Sequence, residues 1–426
     1  MNRIKTRPYS ILMTLALIAI CLLLSGSLAV GFASKSRRAK ALDDEERDKY
    51  LFVWTGDQAR QQPDFLAVID FNENSRDYGK VISTVPLPGA GSTGNEPHHV
   101  GLSRDGRVLA CGGLLSVLKG QKEIFFFDVS HPESPEFISS ADPPLSAITD
   151  EFYPLPGGGF LVTMMGGANG AHPGRVAEFN RSLQLVNEYP ADPPHDGFNP
   201  HGISVRPELN LMVTSDFVCP STTLHAVPGG LDLRGSVRFW DFRKRTIFKT
   251  VTLPGPAGTI DVKFIPGDFK ARAYTAGMAD DKLYLIDPVS GTAKIVFDFG
   301  SITPGGAPQL MRMTRDGSRL FISMNAAGKI VMFDTSRPQN PVVLKVLDLG
   351  PGSGPHYIAL TEDEKRLVVS DYFLNEDDFG KVHAEGDHKI HVARVFRNTM
   401  VLDPRFQLDF NTAFSAPARP HGLALK

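Results

Sequence analysis

Apolar and polar residues alternate along this 426-residue chain in runs of five to eight, and Gly, Pro, Asp and Asn separate the runs. Val100 and Leu102, then Val108 and Ala110, then Phe125 and Phe127, lie two apart. A period of two predicts β-strands with unlike faces, and no long helical apolar period follows the N-terminal segment. One stretch reads as four strands: His98 to Leu102, Arg107 to Gly112, Glu123 to Val129 and Glu136 to Ser140. Asp105-Gly106 supplies its first hairpin turn, and Asp316-Gly317 does the same before Arg319 to Ser323.

This unit repeats. Pro97-His98, Pro200-His201, Pro355-His356 and Pro420-His421 each open an alternating run. Aligning the chain on those runs gives seven anchors, near His98, Asp150, His201, Ile260, Gln309, His356 and His421, spaced 52, 51, 59, 49, 47 and 65 residues apart. About four short strands per period is the signature of a β-propeller. The ends agree. His421 to Lys426 is one strand with nothing after it, while Tyr50 to Thr55, Asp64 to Phe71 and Lys80 to Leu87 are three strands lacking a first. Together they complete a blade. The expected fold is therefore an all-β, seven-bladed propeller over residues 50–426, closed by the C-terminal strand pairing with N-terminal strands.

Forty glycines and 32 prolines suit many strands joined by turns. A net charge of -2 gives no electrostatic reason to expect nucleic acid. Arg3, Lys5 and Arg7 precede the apolar run Ile11 to Leu24, with small residues around Ala29 and Ala33. Residues 1–33 thus read as a signal peptide of an exported protein, or as an N-terminal anchor, since Ile11 to Ala33 is long enough to span a bilayer. Residues 34–49 read as a charged linker. Beyond the leader only Cys111 and Cys219 remain, too few for a disulfide framework. One bridge, two buried thiols or one reactive thiol are all open.

In a propeller the first strands line the axis and run the same way, so the residues opening them form a ring. Here that ring holds His98, Asp150, His201, Ile260 or Asp261, Gln309, His356 and His421. Converging imidazoles suit Cu, Fe, Zn or Ni, and few carboxylates disfavour Mg and Ca. Asp150, Asp261 and Glu96 are candidates to hold a second imidazole nitrogen and fix its tautomer. His99 alternates to the other side of its strand and is either an additional ligand or a packing residue. His383, His388 and His391 read as surface residues of a long acidic loop. His195, Asp196 and His225 could cap the ring or be solvated.

One set of segments carries a resemblance. Pro63-Asp64-Phe65-Leu66-Ala67-Val68-Ile69-Asp70 leads through Tyr78-Gly79-Lys80-Val81-Ile82 to Asn95-Glu96-Pro97-His98-His99-Val100-Gly101, and Gly235-Ser236-Val237-Arg238-Phe239-Trp240-Asp241 and the terminal Pro-His-Gly follow. From about residue 50 onward the chain resembles the selenium-binding protein family, which includes bacterial methanethiol oxidases. The resemblance implies a copper-dependent oxidase that turns methanethiol, O2 and water into formaldehyde, hydrogen sulfide and hydrogen peroxide, in the periplasm. On that reading copper is held by His98, His201, His356 and His421, with or without His99, and Asp150 or Glu96 takes a proton. Eukaryotic members hold selenium on cysteine in a cysteine-richer setting, so selenium binding does not carry over to Cys111 or Cys219. Two other classes stay open on the residues alone: a non-haem iron oxygenase on a four-His propeller, and a non-catalytic propeller that binds metal or a partner.

Overall fold

The computed structural model describes residues 48–224, 230–371, 374–375, 383–384 and 386–426. The leader, the linker up to residue 47, His225 and most of the Tyr372–Asp387 loop lie outside them. Seven antiparallel sheets surround one axis. Their inner strands are Pro97–Leu102, Ser146–Pro154, Pro200–Arg206, Thr259–Phe264, Pro308–Met313, Pro355–Leu360 and Ala418–Leu425, of blades one to seven in that order. The seventh blade joins Ala418–Leu425 to Tyr50–Asp57, Phe65–Asp70 and Val81–Pro86, with Leu51 opposite Leu425 and Val53 opposite Leu423. The ring closes as the strand count requires. The closing strand begins three residues earlier than the sequence pattern suggests.

Burial follows position within a blade. Second and third strands are covered on both faces by neighbouring blades, so Phe160–Gly167 is buried throughout and the middle of Phe65–Asp70 is too. Outermost strands have one wet face, and Glu136–Ala141 alternates exposed and half-buried. Aromatic side chains fill the seams between blades. Trp54 lies 5.7 Å from both Phe125 and Phe127, and its indole N–H donates to the Gly112 carbonyl at 2.8 Å. Phe126 meets Phe179 at 5.6 Å in the next seam. Such rings remove large apolar areas from water and lock one blade to the next.

In every inner strand the alternation fails at one place, and it is the same place in each blade. Each inner strand carries one extra residue against its neighbour: between Pro97 and Val100, Thr149 and Phe152, Pro200 and Ile203, Thr259 and Val262, Pro308 and Met311, Pro355 and Ile358, and Pro420 and Leu423. These are β-bulges, which break the ladder and re-aim side chains. A bulge leaves backbone groups without ladder partners. Four of the carbonyls are met by a hydroxyl from the preceding blade: Thr163 donates to His201, Ser215 to Ile260, Ser323 to His356 and Ser370 to His421. The second bulge position is glycine in blades three and seven because the next inner strand passes too close for a Cβ. At Gly422 a Cβ would lie 2.5 Å from the His98 carbonyl oxygen.

Candidate metal centre

The bulges decide which side chains face the axis. Their first positions are His98, Asp150, His201, Ile260, Gln309, His356 and His421, and their second positions include His99, Glu151, Asp261 and Tyr357. Because both bulge residues of blade one turn inward, His99 joins His98 rather than pointing away from it. The two imidazoles stack with centroids 4.1 Å apart and planes 8° apart. His421 lies 4.6 Å from His98, centroid to centroid, and 5.0 Å from His356. The Nε2 atoms of His99 and His356 approach to 3.0 Å. One ring nitrogen from each of His98, His99, His356 and His421 falls within a 4.8 Å cluster.

His201 belongs to an adjoining group with His98 and Asp150. One Asp150 oxygen, Oδ1, lies 3.1 Å from His98 Nε2 and 3.4 Å from His201 Nε2. None of the five histidines is more than 3% exposed, so the ring is enclosed rather than open at a mouth. Phe217 stands edge-on to His201 at 5.4 Å, in an apolar cluster with Ile148, Met165 and Val218.

Burial sets the protonation. Desolvation pushes His98 down to about 3 and holds His99, His356 and His421 well below the usual imidazole range, with the neighbouring imidazoles adding to the effect. The cluster is therefore neutral at pH 7, and each ring offers a lone pair. Burial also raises Asp150 to about 7, opposed by His201. His356 Nδ1 meets Gln309 Oε1 at 2.9 Å. A carbonyl oxygen only accepts, so Nδ1 carries the proton and Nε2 keeps its lone pair toward His99.

These residues fit a bound transition metal. Four neutral imidazoles converge, and the buried His99 Nδ1, His201 Nδ1 and Asp150 Oδ2 have no hydrogen-bond partner among the described residues. A buried set of this kind is costly unless a cation or water completes it.

Other candidates are placed elsewhere. Glu96 does not join the cluster. Its carboxylate is held by Arg60 at 2.6 Å and Arg419 at 3.1 Å, which commits it to an ion-pair network under the blade-one turn. Asp261 Oδ2 accepts from the Met311 amide and Oδ1 lies 2.9 Å from Lys263 Nζ. His388 and His391 are not simply solvated: they meet Asp371 at 3.0 Å and Asp387 at 2.9 Å. His195 is exposed, and Asp196 pairs with Arg238. Cys111 and Cys219 are free and buried, and burial raises the Cys111 thiol far above its ordinary value. Gln309 was legible in the sequence as a ring position that kept its proline and lost its imidazole. Its partnership with His356 was not, because that contact joins blade five to blade six.

Fold and site together define a class, a seven-bladed propeller whose axis carries a histidine-rich centre with the donor set of a transition-metal site. A family model described as 56kDa selenium binding protein (SBP56) matches residues 31–280, and the chain belongs to that family. A protein of Hyphomicrobium sp. named methanethiol oxidase is 27% identical over 319 residues, 69% of each chain. Among solved structures, a hypothetical selenium-binding protein from Sulfolobus tokodaii superposes with a TM-score of 0.73 at 18% identity, covering 89% of this chain and 94% of its own. A putative 6-phosphogluconolactonase from Bacteroides fragilis shares the fold at a TM-score of 0.57 and 11% identity, covering 89% and 98%. At these identities the two structures speak for the fold alone.

Proposed function

We propose that this protein is a copper-dependent oxidase of small thiols, exported to the periplasm, which converts methanethiol, O2 and water to formaldehyde, hydrogen sulfide and hydrogen peroxide. The enclosed cluster of four neutral imidazoles carries the reading, because it is a donor set for a soft or borderline metal in a dry site. Family membership and the Hyphomicrobium relative support an oxidase acting on methanethiol. His98, His99, His356 and His421 would hold the ion, with Gln309 fixing the His356 tautomer and His201 and Asp150 beside them. Bound copper supplies an acceptor for thiolate sulfur and one-electron chemistry toward oxygen. The chain supplies the rest. The apolar cluster around Phe217 and Ile148 excludes water and favours a small apolar reactant. Asp150, raised to about 7 with one oxygen uncommitted, is the group placed to take the thiol proton near neutral pH.

The test is metal analysis and oxygen uptake on protein purified from the exported fraction, with His99→Ala and His356→Ala as variants. We expect copper in the wild type, and in both variants a loss of metal with a fall in methanethiol-dependent oxygen uptake of about 100-fold or more. Unchanged copper and uptake in both would overturn the proposal. One observation favours a second reading: His98, His201 and Asp150 form a two-histidine, one-carboxylate set, the arrangement of non-haem iron oxygenases. Iron in the purified protein, with no peroxide released from methanethiol, would select it.

A further inference from the structure

A cavity of about 430 Å³ lies between the inner strands of blades five, six, seven and one, toward the ends of those strands away from the imidazoles. Its lining is mixed: Val100, Leu102, Met313 and Leu423 on the inner strands of blades one, five and seven supply apolar wall, and Asp48, Arg315, Thr361, Glu362 and Glu364 supply polar wall. Its inner limit is set by Arg312 and Tyr357. Tyr357 is the second residue of the blade-six bulge, and its ring stands edge-on to His99 at 5.0 Å. One phenol ring therefore separates this funnel from the centre. A larger surface groove of about 750 Å³, between blades six and seven, shares no residue with the imidazole cluster.

We infer that the funnel admits small uncharged molecules, a thiol or O2, to the buried centre, and that Tyr357 and Arg312 form its gate. The inference rests on the oxidase reading above, since it assumes that a reactant must reach the imidazoles. Those imidazoles are almost wholly buried, so something must move for any reactant to arrive. The way the residues are anchored indicates what moves. In the same charged layer Lys263 is clamped, at 2.6 Å from Glu151 and 2.9 Å from Asp261. Arg312 is held more loosely: it stands 3.9 Å and 4.0 Å from those two carboxylates, beyond hydrogen-bonding distance, and its Nη1 donates to the adjacent Met311 carbonyl at 2.9 Å. Its guanidinium rests over the Tyr357 ring at 5.3 Å, and the Tyr357 hydroxyl donates to the Val100 carbonyl at 3.0 Å. Displacing Arg312 breaks no close ion pair and gives up its bond to the Met311 carbonyl, and swinging Tyr357 aside gives up its bond to Val100. The apolar part of the wall, next to Tyr357, suits methyl-sized groups, while the charged layer behind Arg312 disfavours the passage of free ions.

Ala359 lines the funnel wall and lies outside the imidazole cluster. In Ala359→Cys protein carrying metal, the introduced thiol would be alkylated with iodoacetamide or with N-phenylmaleimide, and each adduct compared with the unmodified variant. Cys111 and Cys219 are buried and serve as internal controls for selectivity. Two rates are read: thiol-dependent oxygen uptake at low substrate, and withdrawal of the metal by cyanide. We expect the phenylmaleimide adduct to slow both about tenfold or more, the smaller adduct to slow them less, and metal content before cyanide to stay unchanged. Both rates within about twofold of the unmodified variant, with the phenyl adduct in place, would overturn the gate. If the wild type holds metal but oxidises no thiol, the oxidase reading fails and the cyanide rate alone decides on the funnel.

Discussion

The centre depends on single atoms whose partners can be named, and this makes it testable one residue at a time. Gln309 holds the His356 tautomer through one hydrogen bond. Gln309→Leu keeps the volume and removes the acceptor, so metal affinity should fall by about 10-fold or more in competition titrations against a chelator. Glu123 is a second case, away from the imidazoles. It is buried, accepts from the Ile148 amide at 2.9 Å, and burial raises it to about 8. The folded protein therefore keeps this proton where the unfolded chain has lost it, and stability drains away as pH rises from about 4.5 to about 8. Glu123→Gln cannot ionise. Relative to wild type it should gain on the order of 5 kcal/mol between pH 4 and pH 9, read by denaturant titration at both values. Of these residues, the histidines, Asp150 and the ring position of Gln309 were legible in the sequence, because they fall in register. Glu123 and Gln309 acquire their roles from neighbours in other blades, which a linear reading does not bring together.

Strands were the most legible level. Period-two runs and Asp-Gly turns located them to within a residue or two in blade one, where Pro97–Leu102 and Val108–Gly113 match the expected ranges closely. The bulge was not legible. It is a relation between two strands, and the residues of one strand do not state it. For that reason strict alternation sent His99 to the far side of its strand, whereas the extra residue turns it into the cluster. Two substitutions probe the device. Ser323→Ala removes the hydroxyl that donates to the His356 carbonyl at 2.8 Å. A buried carbonyl left unmet should cost about 1–3 kcal/mol in denaturant unfolding. Gly422→Ala places a Cβ 2.5 Å from the His98 oxygen and 2.6 Å from Val100 Cγ1. Neither neighbour can retreat without shifting an inner strand. A loss of about 1–3 kcal/mol together with weaker metal binding should follow, measured by thermal unfolding and metal titration.

For the whole molecule, seven anchors were enough to give the blade count and the closure, because both follow from chain order. The enclosure of the centre was not readable. Its cover comes from Leu114, Ile148, Met165 and Phe217, which belong to blades one, two and three and meet only once the ring is built. Closure itself predicts a further outcome. Deleting Ala418–Lys426 removes the inner strand of blade seven and opens an edge along Tyr50–Asp57. That variant should lose the single calorimetric transition expected of the closed ring and bind no metal above background. The same strand also sets an order of events. His421 lies on the segment that follows every other blade in the chain, so the four-imidazole cluster does not exist while that segment is still on the ribosome or in transit. An ion can be captured at full affinity only after the ring has shut. Metal occupancy would then mark a finished molecule, and a nascent or clipped chain would lack the complete donor set.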